Sequence, residues 1–83
     1  MKVRVLITLK SGVLDPQGKA IEGALHGLGF ESAANVRQGK LIELDITDAS
    51  SEDDAKEKAR HMCDRLLANP VMETYRVEVV GEA

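Results

Sequence analysis

The sequence predicts an α+β fold in which an antiparallel sheet carries two helices on one face, with the element order β-α-β-β-α-β. Three observations predict it. Apolar residues recur at every second position near both ends of the chain, and two internal segments have them at helical spacing. Glycine, proline, asparagine and aspartate separate these segments. The order is typical of ferredoxin-like domains, and 83 residues suffice for one domain, which we expect over residues 1–83.

The first strand is predicted by the alternation of Val3, Val5, Ile7 and Leu9 with mostly polar residues. A helix follows, because Asp15 suits the N-cap position and Pro16 suits the first helical position. Gly29 suits the position after its end. We expect this helix to bury an apolar stripe made of Ala20, Ile21, Ala24, Leu25 and Leu28.

The segment 30–46 predicts two strands joined by a turn at Gln38-Gly39, although alanines weaken the pattern of the first. A second helix begins after a serine cap at Ser50 or Ser51 and ends at Asn69-Pro70. Its expected apolar face consists of Ala55, Ala59, Met62, Cys63, Leu66 and Leu67. A last strand carries Tyr75, Val77 and Val79 toward the core.

One face of such a sheet has no helix over it. The residues out of phase with the core should point to this open face, which we expect to mix charged and apolar groups: Arg4, Leu6, Thr8, Leu41, Glu43, Arg76 and Val80. A surface of this kind indicates either an interaction site or a solvated face with scattered apolar residues.

Composition argues against several classes of function. A net charge of −3 and only two aromatic residues argue against nucleic-acid binding, which favours a basic surface and stacking platforms. No apolar run approaches the length of a membrane span, and the first ten residues lack the apolar core of a signal peptide. The single cysteine, Cys63, forms no internal disulfide, so a cytoplasmic location is expected.

The stretch "GVLDPQGKA" approaches the phosphate-binding pattern G-x-x-x-x-G-K-[ST]. It has one residue too many between the glycines, and Ala20 replaces the hydroxyl residue. Asp15 would also place a carboxylate where a phosphate should lie, and Pro16 removes a donor. The pattern therefore favours a capped helix start over a nucleotide site.

No catalytic or metal-binding arrangement emerges from the spacing of reactive residues. His26 has no second ligand at helical spacing, and His61 and Cys63 do not share a helix face. Met62 and Cys63 are typical of core filling. The residues alone predict a small α+β domain with a protein interface and with no catalytic, metal or cofactor site.

Three stretches resemble the PurS family, the small subunit of phosphoribosylformylglycinamidine (FGAM) synthase. They are "LKSGVLDPQGKAIEGALHGLGF", "VRQGKLIELDI" and "MCDRLLANPVMETYRVEV", which together span most of residues 3–79 in the family's order. The resemblance implies a PurS-like domain that is a non-catalytic assembly subunit of a ligase complex in purine biosynthesis. It would associate with itself, join a glutaminase subunit to a large synthetase subunit, and aid ammonia transfer between them. ATP, magnesium and glutamine would belong to those partners.

Candidate site residues follow from this interpretation. Asp15, Pro16 and Gly18 are expected to shape the first loop, and the candidates for contact with a partner are Lys19, Arg37, Lys40, Asn69, Pro70 and Tyr75. Two other functions stay open on this layout. One is a regulatory module that binds a small molecule, and the other is a hydrolase of phosphate esters or acyl phosphates. The hydrolase needs an anion loop with a positioned arginine, and "SGVLDP" offers none.

Overall fold

The computed structural model describes residues 1–80, in which three strands form an antiparallel sheet and two helices are present. In chain order the elements are β1 (Lys2–Leu9), α1 (Pro16–Gly27), β2 (Gly39–Asp45), α2 (Glu52–Met62) and β3 (Glu73–Val80). A π-helical turn, Cys63–Leu67, extends α2. The central strand is β1, with β2 on one side and β3 on the other. The predicted antiparallel α+β architecture is confirmed.

The core lies between one face of the sheet and α2. It joins branched side chains from β1 to small side chains from α2: Val3, Val5, Ile7, Ala55, Ala59 and Cys63 are all fully or almost fully buried. Small residues on the helix let its backbone approach the sheet closely. Because α2 packs on β1 and β3, the part of this face formed by β2 is covered less, and Ile42 and Leu44 are only half-buried.

Helix α1 differs from the prediction that it buries its apolar stripe. Neither the sheet nor α2 packs extensively against it in the described residues, and Ile21 and Leu28 are 41% and 74% exposed. The radius of gyration is 15.9 Å, whereas a compact chain of this length has about 12 Å. The periodicity of the sequence correctly predicts that α1 has an apolar face, but it does not predict whether this chain or another one covers that face.

The predicted strand within residues 30–37 does not form. Asn35 adopts a left-handed conformation with φ of 56°, which interrupts extended backbone. The segment folds back on α1 instead. The Val36 N–H donates to Glu22 Oε1 at 3.1 Å, and the Phe30 N–H donates to the Leu25 carbonyl at 2.9 Å. Two backbone N–H groups that a strand would pair in a sheet therefore donate to α1 instead.

The predicted apolar face of the second helix is correct for its first turns and differs at its end. Met62 is 37% exposed and Leu66 is 83% exposed, whereas Cys63 is fully buried. The π-helical turn widens the backbone here, so the spacing of an ordinary α-helix no longer applies.

The register of the sheet confirms the predicted open face. Arg4 lies opposite Glu43 on β2 and Glu78 on β3, all on the face away from α2. Arg4 Nε lies 3.2 Å from Glu43 Oε2, with both side chains largely exposed. None of the helices in residues 1–80 has the length and apolar character needed to cross a membrane.

Candidate assembly site

The first loop and the start of α1 are organised around the carboxylate of Asp15. This residue is the N-cap of α1, as the sequence predicts, and Pro16 occupies the first helical position. Asp15 Oδ1 accepts the Gly18 N–H at 2.8 Å, and Oδ2 accepts the Gln38 N–H at 2.8 Å. These two hydrogen bonds, with that of Gln38 contributing most, hold the pKa of Asp15 below its ordinary value.

The same geometry explains why a phosphate loop does not form here. The Gly18 N–H, which an anion at the start of α1 would need, already binds the side chain of Asp15. Gly18 is also confined, because a Cβ built on it would lie 2.5 Å from the Val36 carbonyl oxygen. Glycine at this position lets the loop before β2 lie directly against α1.

Arg37 connects this loop to the end of β1. Its guanidinium donates to the carbonyls of Leu9 and Lys10 at 3.1 Å and of Val13 at 3.3 Å. Arg37 Nε lies 4.0 Å from Asp15 Oδ2. The sequence predicts Arg37 as a contact for a partner. In the structure its charged group is directed at its own chain, with the side chain 38% exposed.

A second loop meets the same end of the sheet. Lys40 Nζ lies 3.3 Å from Glu73 Oε2, and Glu73 Oε1 accepts the Asn69 N–H at 2.8 Å. The backbone hydrogen bond from Asn69 is the main reason that the pKa of Glu73 lies below its ordinary value. Asn69 Oδ1 accepts the Val71 N–H at 2.9 Å. The Pro70 carbonyl accepts from Lys10 Nζ at 2.7 Å.

The predicted contact residues are thus separated into groups by the fold. Arg37, Lys40, Asn69 and Pro70 gather at one end of the sheet, where β1 ends and β2 and β3 begin. Lys19 lies apart from them, on the exposed surface of α1. Whether any of these residues contacts a partner stays a prediction.

Tyr75 faces α2 and reaches the π-helical turn. Its hydroxyl donates to Asp64 Oδ1 at 2.9 Å. Ionisation of Tyr75 would break this bond and place two negative charges together, so the pKa of Tyr75 is raised, with desolvation adding to the effect.

The two histidines contact neighbouring groups of the chain, and the cysteine is buried. His26 Nε2 lies 2.7 Å from the Ala33 carbonyl and donates to it in the tautomer protonated at Nε2, which ties α1 to the loop that follows. His61 lies 3.4 Å from Glu57 on the exposed side of α2. Burial raises the pKa of the Cys63 thiol. Within residues 1–80, no three His, Cys, Asp or Glu side chains come together as a set able to hold a metal ion.

Besides Met62 and Leu66 on α2, two further apolar surfaces of residues 1–80 are incompletely covered. One is the outer stripe of α1, formed by Ala20, Ile21, Ala24 and Leu28. The other comprises Ile42 and Leu44, on the part of the core face that α2 leaves open. Both surfaces are suited to association with another protein chain.

Comparisons with known proteins agree on one family. The family model described as PurS, phosphoribosylformylglycinamidine (FGAM) synthase, matches residues 2–81. The chain is 46% identical over 78 residues to the Bacillus subtilis phosphoribosylformylglycinamidine synthase subunit PurS, covering 94% of this chain and 90% of that protein. The crystal structure of Methanocaldococcus jannaschii PurS has a TM-score of 0.82 at 40% identity, covering 93% of this chain and 92% of that one.

One chain of a solved complex is also similar to this chain. The structure of PurLQS from Thermotoga maritima contains a chain with a TM-score of 0.82 at 34% identity, and the likeness covers 93% of each chain.

Proposed function

The chain belongs to the PurS family of FGAM synthase, and we propose on this basis that it is the non-catalytic assembly subunit of that ligase complex in purine biosynthesis. It bridges a glutaminase subunit and an ATP-dependent synthetase subunit and aids the transfer of ammonia between them. ATP, magnesium and glutamine bind the partner subunits, and the complex works in the cytoplasm. The observation that carries this proposal is the likeness to a chain of the PurLQS complex from Thermotoga maritima.

The uncovered apolar surfaces support an assembly role. A free chain would expose Ile21 and Leu28 to water, at a cost of roughly 25 cal/mol for each Å² that a partner could cover. The chain is also flat, with extents of 49 × 33 × 14 Å, so it offers much surface for its size. A subunit that functions by contact needs such surface more than it needs an enclosed pocket.

Self-association follows from the same surfaces. Within residues 1–80, the outer stripe of α1 packs extensively against neither the sheet nor α2, and no helix packs extensively over the face of β2 beside α2. If α1 of one copy packs over Ile42 and Leu44 of a second copy, each sheet gains the second helix that the sequence predicts. A two-fold pairing satisfies both copies at once, and we therefore propose a homo-oligomer built on it.

Reconstitution tests the assembly role directly. The synthetase and glutaminase subunits are assayed with and without this chain, using first glutamine and then ammonium as the nitrogen source. We expect the chain to be required with glutamine and to matter much less with ammonium, because only glutamine-derived nitrogen must pass between subunits. Equal glutamine-dependent rates without the chain would contradict the proposal.

A further inference from the structure

A pocket of about 420 Å³ lies where the π-helical turn approaches the first residues of β3. Its volume is within the range of small-molecule sites, about 300–1,000 Å³. The buried part of its lining comes from Cys63 and Ala68, and the charged part comes from Lys10, Asp64 and Glu73. We call this pocket the turn pocket.

Backbone hydrogen bonds fix the segments that line the turn pocket. In the π-helical turn the Ala68 N–H donates to the Cys63 carbonyl at 3.0 Å, five residues back rather than four. The Lys10 N–H donates to the Met72 carbonyl at 2.8 Å, which holds the end of β1 to the loop before β3. The backbone around the pocket therefore does not depend on its charged side chains. Single π-helical turns are rare and frequently occur at functional sites.

Three charged side chains line the turn pocket, and only one of them is paired. Glu73 forms an ion pair with Lys40 at 3.3 Å. Lys10 and Asp64 form no ion pair with each other or with any other side chain of residues 1–80. The same pocket is therefore lined by one positive and one negative charge that do not meet.

Both of these charged groups have capacity for a further partner. Lys10 Nζ donates to the Pro70 carbonyl at 2.7 Å and carries other N–H groups that can donate as well. Asp64 Oδ1 accepts from the Tyr75 hydroxyl at 2.9 Å, whereas Oδ2 accepts no hydrogen bond from residues 1–80. A ligand in the turn pocket can therefore accept from the lysine and donate to the aspartate.

We propose that the turn pocket binds a free amino acid with an uncharged side chain, whose carboxylate pairs with Lys10 and whose ammonium group pairs with Asp64. The two charges of this zwitterion match the two unpaired charges of the pocket. A nucleotide or a phosphate ester fits less well, because its negative charges would meet a single unpaired lysine beside the carboxylates of Asp64 and Glu73. The proposal uses only groups of this chain and does not rest on the assembly role.

Nuclear magnetic resonance of the intact, ¹⁵N-labelled chain tests this proposal, with L-glutamine and L-alanine as the probes. We expect saturable shifts of the backbone amides of Asp64, Ala68 and Tyr75. The dissociation constant should be on the order of 1 mM, because solvent weakens the pairs made by the exposed Lys10 and Asp64. Analogues of glutamine that lack either the α-amino group or the α-carboxylate should bind about fivefold or more weakly, because each loses one charge pair.

Two variants remove the charges one at a time. Lys10→Gln and Asp64→Asn should each weaken binding of L-glutamine by about fivefold or more. Lys2→Gln and Asp53→Asn are the matched controls, because they make the same changes on β1 and on α2 outside the turn pocket. Circular dichroism should match the wild type for all four variants.

Three results would overturn the proposal. The first is that neither amino acid causes saturable shifts, or that the shifts centre on residues away from the turn pocket. The second is equal binding of an analogue that lacks one of the two charges. The third is unchanged binding by Lys10→Gln or by Asp64→Asn. None of these results bears on the assembly role, which reconstitution with the partner subunits tests separately.

Discussion

The carboxylate of Asp15 and the amide of Gln38 form a hydrogen bond of 2.8 Å across 23 residues of chain. Asp15 caps α1, and Gln38 immediately precedes β2, so this bond fixes the start of the helix to the start of a strand. Because α1 does not pack extensively on the sheet, such loop contacts hold the direction in which the helix projects. That direction decides whether α1 can reach a second copy.

Replacing Asp15 tests this role. Asp15→Ala leaves the amides of Gly18 and Gln38 without their acceptor, so we expect a lower urea midpoint and weaker self-association. The urea midpoint of Asp15→Asn should lie between those of Asp15→Ala and the wild type, because its one carbonyl oxygen still accepts the Gly18 N–H. The midpoints are compared at one protomer concentration. An unchanged midpoint for Asp15→Ala would contradict the role.

Two glycines of α1 should respond in opposite ways to the same substitution. A Cβ at Gly18 would meet the Val36 carbonyl at 2.5 Å, so Gly18→Ala should lower the free energy of unfolding by about 1–3 kcal/mol. A Cβ at Gly23 meets nothing within 4 Å. Gly23→Ala should therefore raise helix stability by up to about 1 kcal/mol. Urea unfolding of the two variants checks the contrast, and equal effects would contradict it.

Acid should destabilise the chain through carboxylates that accept backbone hydrogen bonds. The pKa values of Asp15 and Asp54 lie below the ordinary 3.8, and those of Glu22 and Glu73 lie below 4.5. A lowered folded pKa gives stability that is present above the ordinary value and is lost as the pH falls through the folded one. Urea midpoints should therefore be level near neutral pH and fall below about pH 4.5.

The salt dependence of that loss identifies its cause. For all four groups a backbone N–H contributes most to the lowered pKa, ahead of any charged neighbour. Added salt screens charge pairs far more than it weakens hydrogen bonds. The fall of the urea midpoint with decreasing pH should therefore be equally steep at high salt. A shallower fall at high salt would indicate that ion pairs are the main cause.

The outer stripe of α1 should control self-association. Ile21→Asp or Leu28→Asp places a charge in the apolar contact proposed between copies, so the mass measured by light scattering should fall toward that of one chain. Leu14→Asp is the control, because Leu14 is 72% exposed in the first loop, outside the stripe. Circular dichroism should be the same for all three. An unchanged mass for the stripe variants would exclude α1 from the interface.

The parts of the fold that the sequence predicts correctly have local causes. The alternation in β1 and β3, the Asp15 cap and the serine cap at Ser51 depend on neighbouring residues alone, and the structure contains each of them. The contacts of Arg37 with Leu9 and Val13 are long-range and leave no periodic trace in the sequence.

The differences have causes that lie outside any local pattern. The periodicity of α1 indicates an apolar face, but whether another element of residues 1–80 covers that face depends on the whole fold. Residues 30–37 have some strand character in the sequence. In the structure, however, two of their backbone N–H groups donate to Glu22 and Leu25 of α1. Leu66 has correct helical spacing for the core, and only the π-helical turn turns it outward.

Tyr75 reports on that π-helical turn, because it is the only tyrosine of the chain and its hydroxyl binds Asp64 within the turn. Its ionisation, followed by absorbance, should occur above the ordinary pKa of 10.0. Asp64→Asn should move the pKa back toward that value, because the carboxylate is the main cause of the shift. An equal pKa in Asp64→Asn would show that the hydrogen bond does not control it.

The same titration connects the π-helical turn to the stability of the chain. A folded pKa raised above the unfolded one gives stability that is present below the unfolded value and is lost as the pH rises through the folded one. Urea midpoints should therefore fall on the alkaline side, and less so in Tyr75→Phe. An equal fall in Tyr75→Phe would contradict this role of Tyr75.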